Sequence, residues 1–272
     1  MNRITSVARI SLGFLLVVVG TIILIPVLVL CLPWRATRVR LCNYWGKIVG
    51  RATAWLTLAR LEIHHRERLN GSFPAIYITN HTSNLDPLLA MWLCPVGGCG
   101  VAKKEVGQIP FFGWMYRLSG HLLVDRGNRE NAIAAMNSTA EVVRRYGLGM
   151  WLWPEGTRSR DGRLLPFKKG LAHLALATGL PIVPVVIHNA HRNWPKRTFR
   201  LYPVTVDVDV LEPIPTADWA AETLDAHLFE VWKRMANQLN DDQKPPPEVY
   251  AEAERKANLA LGVSTADTMD AT

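Results

Sequence analysis

Hydrophobic and polar positions follow different periods along this chain, and each period predicts its own kind of element. From Ile10 to Leu32 run 23 residues without a charge, and the uncharged stretch continues to Trp34 before Arg35. A helix over that run would be roughly 35 Å long, enough for a hydrocarbon core of about 30 Å, so the pattern predicts a membrane-inserted helix over 10–34. A cleaved signal peptide fits less well. Its apolar region spans only about 7–15 residues and ends in small residues, whereas this one ends in Cys-Leu-Pro-Trp-Arg. Pro26 suits either a kinked spanning helix or a one-leaflet insertion. Over 36–60 the apolar period becomes helical: Leu41, Tyr44, Trp45, Ile48, Ala52, Trp55 and Leu56 share one arc, edged by Arg40, Lys47 and Arg51. That pattern suits an interfacial helix or a helix packed on a core with a basic rim, and the tryptophans favour the interface.

Beyond residue 60 short β-like runs alternate with helical stretches. The runs are Ala75–Thr79, Cys99–Ala102, Leu122–Val124, Met150–Trp153, Ile182–Ile187 and Phe199–Val210, with helices predicted near 85–93, 111–119, 130–146, 170–178 and 217–240. This alternation predicts an α/β domain, a mixed sheet flanked by helices, over 61–243. The last run places Val204, Val206, Val208 and Val210 on one face and Thr205, Asp207 and Asp209 on the other, a half-exposed strand. Pro245-Pro246-Pro247 is read as the end of regular structure, and 244–272 as an acidic, mobile tail. The reading is therefore an N-terminal membrane anchor over 1–60, one α/β domain and a tail.

Composition changes the picture in two places. The net charge of +8 suggests nucleic acid until its location is considered: residues 1–50 hold six basic residues and no acid, leaving 25 basic against 23 acidic groups elsewhere. The excess lies beside the apolar run, which points to a phospholipid membrane and excludes nucleic acid as the expected partner. Arg35, Arg38, Arg40, Lys47 and Arg51 after the run outweigh Arg3 and Arg9 before it, so the positive-inside bias places the large domain on the cytoplasmic side of a cytoplasmic (inner) membrane. Cys31, Cys42, Cys94 and Cys99 form no C-x-x-C pair, which excludes a disulfide scaffold and a four-thiolate zinc site.

Two loops carry candidate chemistry. Asn80-His81-Thr82-Ser83-Asn84-Leu85-Asp86-Pro87 follows a strand-like run directly, so it falls where α/β domains build sites. A carboxylate on one imidazole nitrogen fixes the tautomer and raises the basicity of the other, as a general base requires. The plainer reading is that Asp86 only caps the helix begun at Pro87. The second loop is Trp153-Pro154-Glu155-Gly156-Thr157-Arg158-Ser159-Arg160, where Gly156 permits a tight turn, Thr157 and Ser159 offer hydroxyls and Arg158 offers a bidentate grip on phosphate. Lys168 and Lys169 add cations just before a helix N-terminus, which itself favours anions. Residues 109–114, Ile-Pro-Phe-Phe-Gly-Trp, suit either core or the wall of an acyl-chain site.

In order, Asn80-His81-x4-Asp86, Ile109-Pro110-Phe111-Phe112-Gly113 with Asp125-Arg126, Pro154-Glu155-Gly156-Thr157-Arg158-Ser159 and Leu180-Pro181-Ile182-Val183-Pro184 resemble the four motifs of bacterial 1-acyl-sn-glycerol-3-phosphate (lysophosphatidic acid) acyltransferases. The resemblance covers roughly residues 60–215. It implies the glycerolphosphate-acyltransferase type of α/β fold and a role in phospholipid biosynthesis. It implies an acyl-CoA or acyl carrier protein thioester as co-substrate, lysophosphatidic acid as acceptor, phosphatidic acid as product, and neither cofactor nor metal. It further implies His81 as base, Asp86 as its partner, and Arg126, Glu155, Gly156, Thr157 and Arg158 at the acceptor phosphate; Lys168 and Lys169 join them on charge alone. The oxyanion is expected to meet a backbone N–H near 80–87. Trp153 departs from the family's usual phenylalanine.

Rival readings are weaker. Ser83 as a hydrolase nucleophile lies two residues from its base and in no G-x-S-x-G elbow. A zinc hydrolase from His81, Asp86 and His121 lacks ligand spacing, and His188 with His191 reads as loop. A non-catalytic membrane adaptor would need neither His81 nor Asp86. The same motifs would also serve another lysolipid acceptor such as lyso-ornithine lipid.

Overall fold

The computed structural model describes residues 2–109, 111–124 and 129–262. Two long helices come first, α1 (Arg3–Leu30) and α2 (Arg35–Leu56). α1 starts seven residues ahead of the uncharged run because Asn2 caps it, its side-chain oxygen accepting the Thr5 N–H at 2.8 Å. The two helices fold back on each other. Gly13 lies beside Thr53 and Leu56, and the Trp45 ring presses so closely on Gly20 that a Cβ there would sit 1.4 Å from it. The outer side of α1 is free: Phe14 is 67 % exposed, Ile23 66 % and Leu30 77 %. α2 in turn sets Gly46 and Gly50 against the backbone of Leu88 and Met91. Tyr44, Ile48 and Trp55 on its predicted apolar arc stay exposed.

α2 stops at Leu56, short of the predicted residue 60. The Thr57 hydroxyl closes on the Ala54 carbonyl, Leu58 takes φ 65°, and a strand begins. That strand, β1 (Ala59–His64), alternates as Arg-Leu-Glu-Ile-His, a two-residue period too short to stand out beside a helical pattern. After it come α3 (Glu67–Gly71), β2 (Ile76–Thr79), α4 (Asp86–Leu93), β3 (Gly98–Lys103), α5 (Phe112–Leu118), β4 (Leu122–Val124) and α6 (Arg129–Tyr146). The chain continues through β5 (Gly149–Leu152), α7 (Gly170–Thr178), β6 (Ile182–Ile187), α8 (Ala190–Asn193), β7 (Val204–Val210), α9 (Leu224–Gln238) and α10 (Pro247–Ala260).

The sheet order is β1-β7-β6-β2-β5-β3-β4, and among these strand pairs of the described residues only β6–β7 is antiparallel. β2, β5 and β6 are buried at every position, so they read as unbroken apolar runs. Ile76, Ile78, Met150, Leu152, Ile182 and Val186 pack in one layer with Leu171 of α7 and Val231 and Met235 of α9. Tyr77, Trp151, Val183 and Val185 face Leu89 and Leu93 of α4 in the other. Because β2 and β5 are parallel neighbours, with Ile78 opposite Leu152, the two candidate loops leave the sheet side by side.

The expected irregular tail is instead helical over Pro247–Ala260. Pro247 occupies the first turn, where its missing N–H costs nothing, so the prolines start a helix. Tyr250 meets Phe229 and Trp232 at ring-centroid distances of 5.7 and 5.4 Å, and Ala257 is buried. Residues 263–272 of that tail lie outside the described residues.

Candidate active site

The loop after β2 is held from three sides. Asn80 extends the β2–β6 pairing by one residue through its side chain, donating to the Ile187 carbonyl and accepting the Ile187 N–H, both at 2.8 Å. The Ser83 hydroxyl donates to the Trp194 carbonyl at 2.9 Å. The buried Asp86 carboxylate gathers the rest. Its Oδ2 accepts the N–H of Thr82 at 2.7 Å and of Ser83 at 2.8 Å, and lies 2.7 Å from His81 Nδ1. Asp86 therefore faces back onto its own loop rather than simply capping α4. An oxygen that already accepts two N–H groups is a carboxylate acceptor, so Nδ1 carries the proton and Nε2 keeps its lone pair. The ring of His81 is also stacked on Trp153, at 4.7 Å between centroids and 24° between planes.

Glu155 joins this loop to its neighbour. One oxygen accepts the His81 N–H at 2.7 Å, the other the Leu165 N–H at 3.3 Å, and Ser159 N–H donates to the His81 carbonyl at 2.8 Å. Burial pushes the Glu155 carboxyl up to about 8. Expected among the phosphate ligands, Glu155 is instead enclosed as a strut, and a nearly neutral carboxyl is the form an anion site tolerates as neighbour. Gly156 makes the turn at φ 71°, and Thr157 is exposed. The Arg158 guanidinium donates to the Asn84 side-chain oxygen, and Lys196 Nζ donates to the Arg158 carbonyl at 2.9 Å. Lys168 is exposed, with its N–H on the Pro154 carbonyl at 2.8 Å; Lys169 pairs with Asp225 of α9 at 2.8 Å. Arg126 lies outside the described residues.

The predicted cation set is thus divided. Lys168, Gly156 and Trp153 border a cavity of about 310 Å³ under α6 and α7, whereas Arg158 points to Asn84 and the 194–197 loop. A second cavity of about 290 Å³ lies between α2, α4 and β3, lined by Trp45, Met91, Met115, Tyr116, Trp151 and Trp153 among others. Trp153 lines both cavities and covers His81, a position that the sequence marked only as a departure from phenylalanine. Asn84 and Lys196 were missed. Asn84 sits inside the motif without a reactive group, and Lys196 gains its place only through folding of a loop some 110 residues downstream.

Ser83 is fully buried, with its hydroxyl given to Trp194 rather than to His81. His121 is partly buried beside β3, where its Nδ1 accepts the Gly100 N–H at 3.3 Å and desolvation pulls it down to about 4. Among the described residues, the three-residue group able to hold a metal is Glu62, His64 and Asp207, at the opposite sheet edge. The N–H groups of His81 to Leu85 are all engaged, so the expected oxyanion donor is not among them.

A family profile described as Acyltransferase matches residues 60–188. The 1-acyl-sn-glycerol-3-phosphate acyltransferase of Limnanthes douglasii is 41% identical over 240 residues, covering 88% of this chain and 85% of that protein. The Escherichia coli (strain K12) protein of the same name is 35% identical over 171 residues, 62% of this chain and 69% of that one. Among solved structures, the 1-acyl-sn-glycerophosphate (LPA) acyltransferase PlsC of Thermotoga maritima superposes with a TM-score of 0.68 at 22% identity, covering 86% of this chain and 97% of that one, a likeness of fold.

Proposed function

Because the chain belongs to the 1-acyl-sn-glycerol-3-phosphate acyltransferase family, we infer that it acylates lysophosphatidic acid to phosphatidic acid. A glycerol acylated at position 1 and phosphorylated at position 3 offers one free hydroxyl, so transfer goes to sn-2. The observation that carries the reading at the level of residues is the His81–Asp86 pair at 2.7 Å, with Nε2 left as base on a ring stacked against Trp153, which lines an apolar cavity.

His81 Nε2 takes the sn-2 hydroxyl proton as that oxygen attacks the thioester carbonyl. The new C–O bond forms, the tetrahedral intermediate collapses with cleavage of the C–S bond, and the imidazolium returns its proton to the leaving thiolate. Asp86 stabilises that imidazolium, and Trp153 holds the ring plane. Proton transfer of this kind contributes about 10²–10⁴-fold, and the positioning of two substrates supplies much of the remainder. The donor is acyl-CoA or acyl carrier protein, its chain lying in the cavity of about 290 Å³. Gly156, Thr157, Arg158 and Lys168, with Arg126, receive the acceptor phosphate; Lys169 contributes charge but shares it with Asp225. No resident cofactor or metal enters these steps.

Residues 1–60 anchor the α/β domain on the membrane. α1 is long and apolar enough to cross a bilayer, but it lies along α2 and is tied to the domain near both ends, at Ser6 by Leu201 and at the fully buried Leu28. Insertion in the plane of one leaflet suits that packing, because spanning would drag the arginines of α2 into hydrocarbon. The basic residues around α2 favour the cytoplasmic face of the inner membrane. The deciding assay is thiol release from oleoyl-CoA by the detergent-purified protein with lysophosphatidate, a zwitterionic lysolipid or no acceptor. Release that requires lysophosphatidate supports the activity; release without acceptor would assign a hydrolase instead.

A further inference from the structure

A crevice of about 180 Å³ opens where α1 passes the start of α4, walled by Ile10, Phe14 and Val17 on one side and by Leu88 and Trp194 on the other. It is distinct from the two cavities beside Trp153, since its wall comes from the helix whose outer face is apolar and free. Asn84, a member of the His81–Asp86 loop, and Arg9 of α1 also line it, and Asn84 accepts from the Arg158 guanidinium. Arg158, Arg160, Lys196 and Arg197 crowd together there, close enough that partial desolvation and the other three cations hold the Lys196 ammonium below its usual range. None of the four has a carboxylate within ion-pair distance among the described residues. The loop that brings Lys196 and Arg197 is fastened to the candidate active site by Ser83 on the Trp194 carbonyl and by Asn84 on the Pro195 carbonyl at 3.3 Å. Arg197 itself sits at φ 63°, an uncommon conformation for a residue with a Cβ.

A slot lined mainly by apolar side chains that reaches Asn84, with Arg158 and Lys196 behind it, matches a single-chain phospholipid. We propose that this crevice is the portal through which the lysolipid acceptor reaches His81, its acyl chain between α1 and α4 and its phosphate on Arg158 and Lys196. The proposal rests on the acyltransferase reading. It adds Lys196, beside Arg158 and Asn84, to the groups that hold the acceptor's phosphate. It also makes α1 part of the binding site as well as an anchor.

The test is steady-state kinetics of the full-length protein in mixed micelles, with oleoyl- and hexanoyl-lysophosphatidate as acceptors. Gly13→Leu fills the slot from α1, where a Cβ has ordinary clearance from Thr53, and Leu88→Phe fills it from α4. Each should raise the acceptor KM several-fold for the oleoyl compound and leave the hexanoyl KM near wild type. Lys196→Ala should raise the acceptor KM about tenfold for both chain lengths, the size of one charge-assisted contact, with the donor KM unchanged. A rise in donor KM at constant acceptor KM would overturn the assignment and give the cluster to the donor. Equal effects of the filling variants on long and short acceptors, or none, would overturn the portal. The wild-type rate in the same assay reads the activity itself, so a failed activity and a failed portal give different results.

Discussion

Asp86 gives His81, the proposed base, a defined tautomer: one carboxylate oxygen orients two N–H groups and the imidazole at once. His81→Ala should lower kcat by about 10²–10⁴-fold while the thermal midpoint stays near wild type, since the exchange removes a partly exposed ring and the proton acceptor together. Arg158→Ala should act on the acceptor KM by roughly tenfold or more, a lost charge-assisted contact, with little change in kcat; an unchanged KM would remove Arg158 from the phosphate site. Glu155 makes a different kind of statement, about pH. A carboxyl raised from 4.5 to about 8 by burial keeps its proton in the folded chain where the unfolded chain would lose it. Its contribution to stability is therefore complete below about 4.5 and is lost as pH rises through about 8. Thermal midpoints measured across that window should fall with pH in the wild type and flatten in Glu155→Gln, which keeps the shape and the two acceptor contacts only in part. Of these residues, His81, Asp86 and Arg158 were legible because each carries a reactive or charged group at a strand end. Glu155 was legible as a motif member but not as a strut, because only folding puts it on the His81 and Leu165 N–H groups.

At the scale of elements, periodicity sufficed where an element is buried on both sides or on one clean stripe. β2, β5 and β6 were recovered from apolar runs and β7 from its alternation. β1 and α10 were not. β1 is an edge strand whose polar positions face solvent, and α10 buries only a narrow stripe against Phe229 and Trp232, so neither carries enough apolar signal to be read without its partner. The pairing of α1 with α2 gives a sharp prediction. Gly20→Ala should destabilise the chain by about 1–3 kcal/mol, because the added methyl overlaps the Trp45 ring. The cost should shrink in the Trp45→Ala background, which denaturant titration of the four variants would measure as a coupling energy.

At the scale of the molecule, the N-terminal helices belong to the fold. α1 covers Thr53, Leu56 and Trp45, its Leu28 is fully buried, and its first turn holds the Leu201 backbone. Deleting residues 1–33 should therefore yield an aggregating or less stable protein instead of a soluble domain, as size-exclusion chromatography without detergent and a melting curve would show. The sequence alone determined the fold class, the apolar N-terminal helix and the two loops that leave the sheet side by side as candidates for the chemistry, because burial and charge leave local patterns in the order of residues. The tertiary structure alone decided that Asp86 turns back to His81, that α1 lies flat along α2, and that the cations part into two groups around His81. Those outcomes depend on which strands become neighbours and which loops meet at their ends, and contacts between residues far apart in the chain leave no period in it.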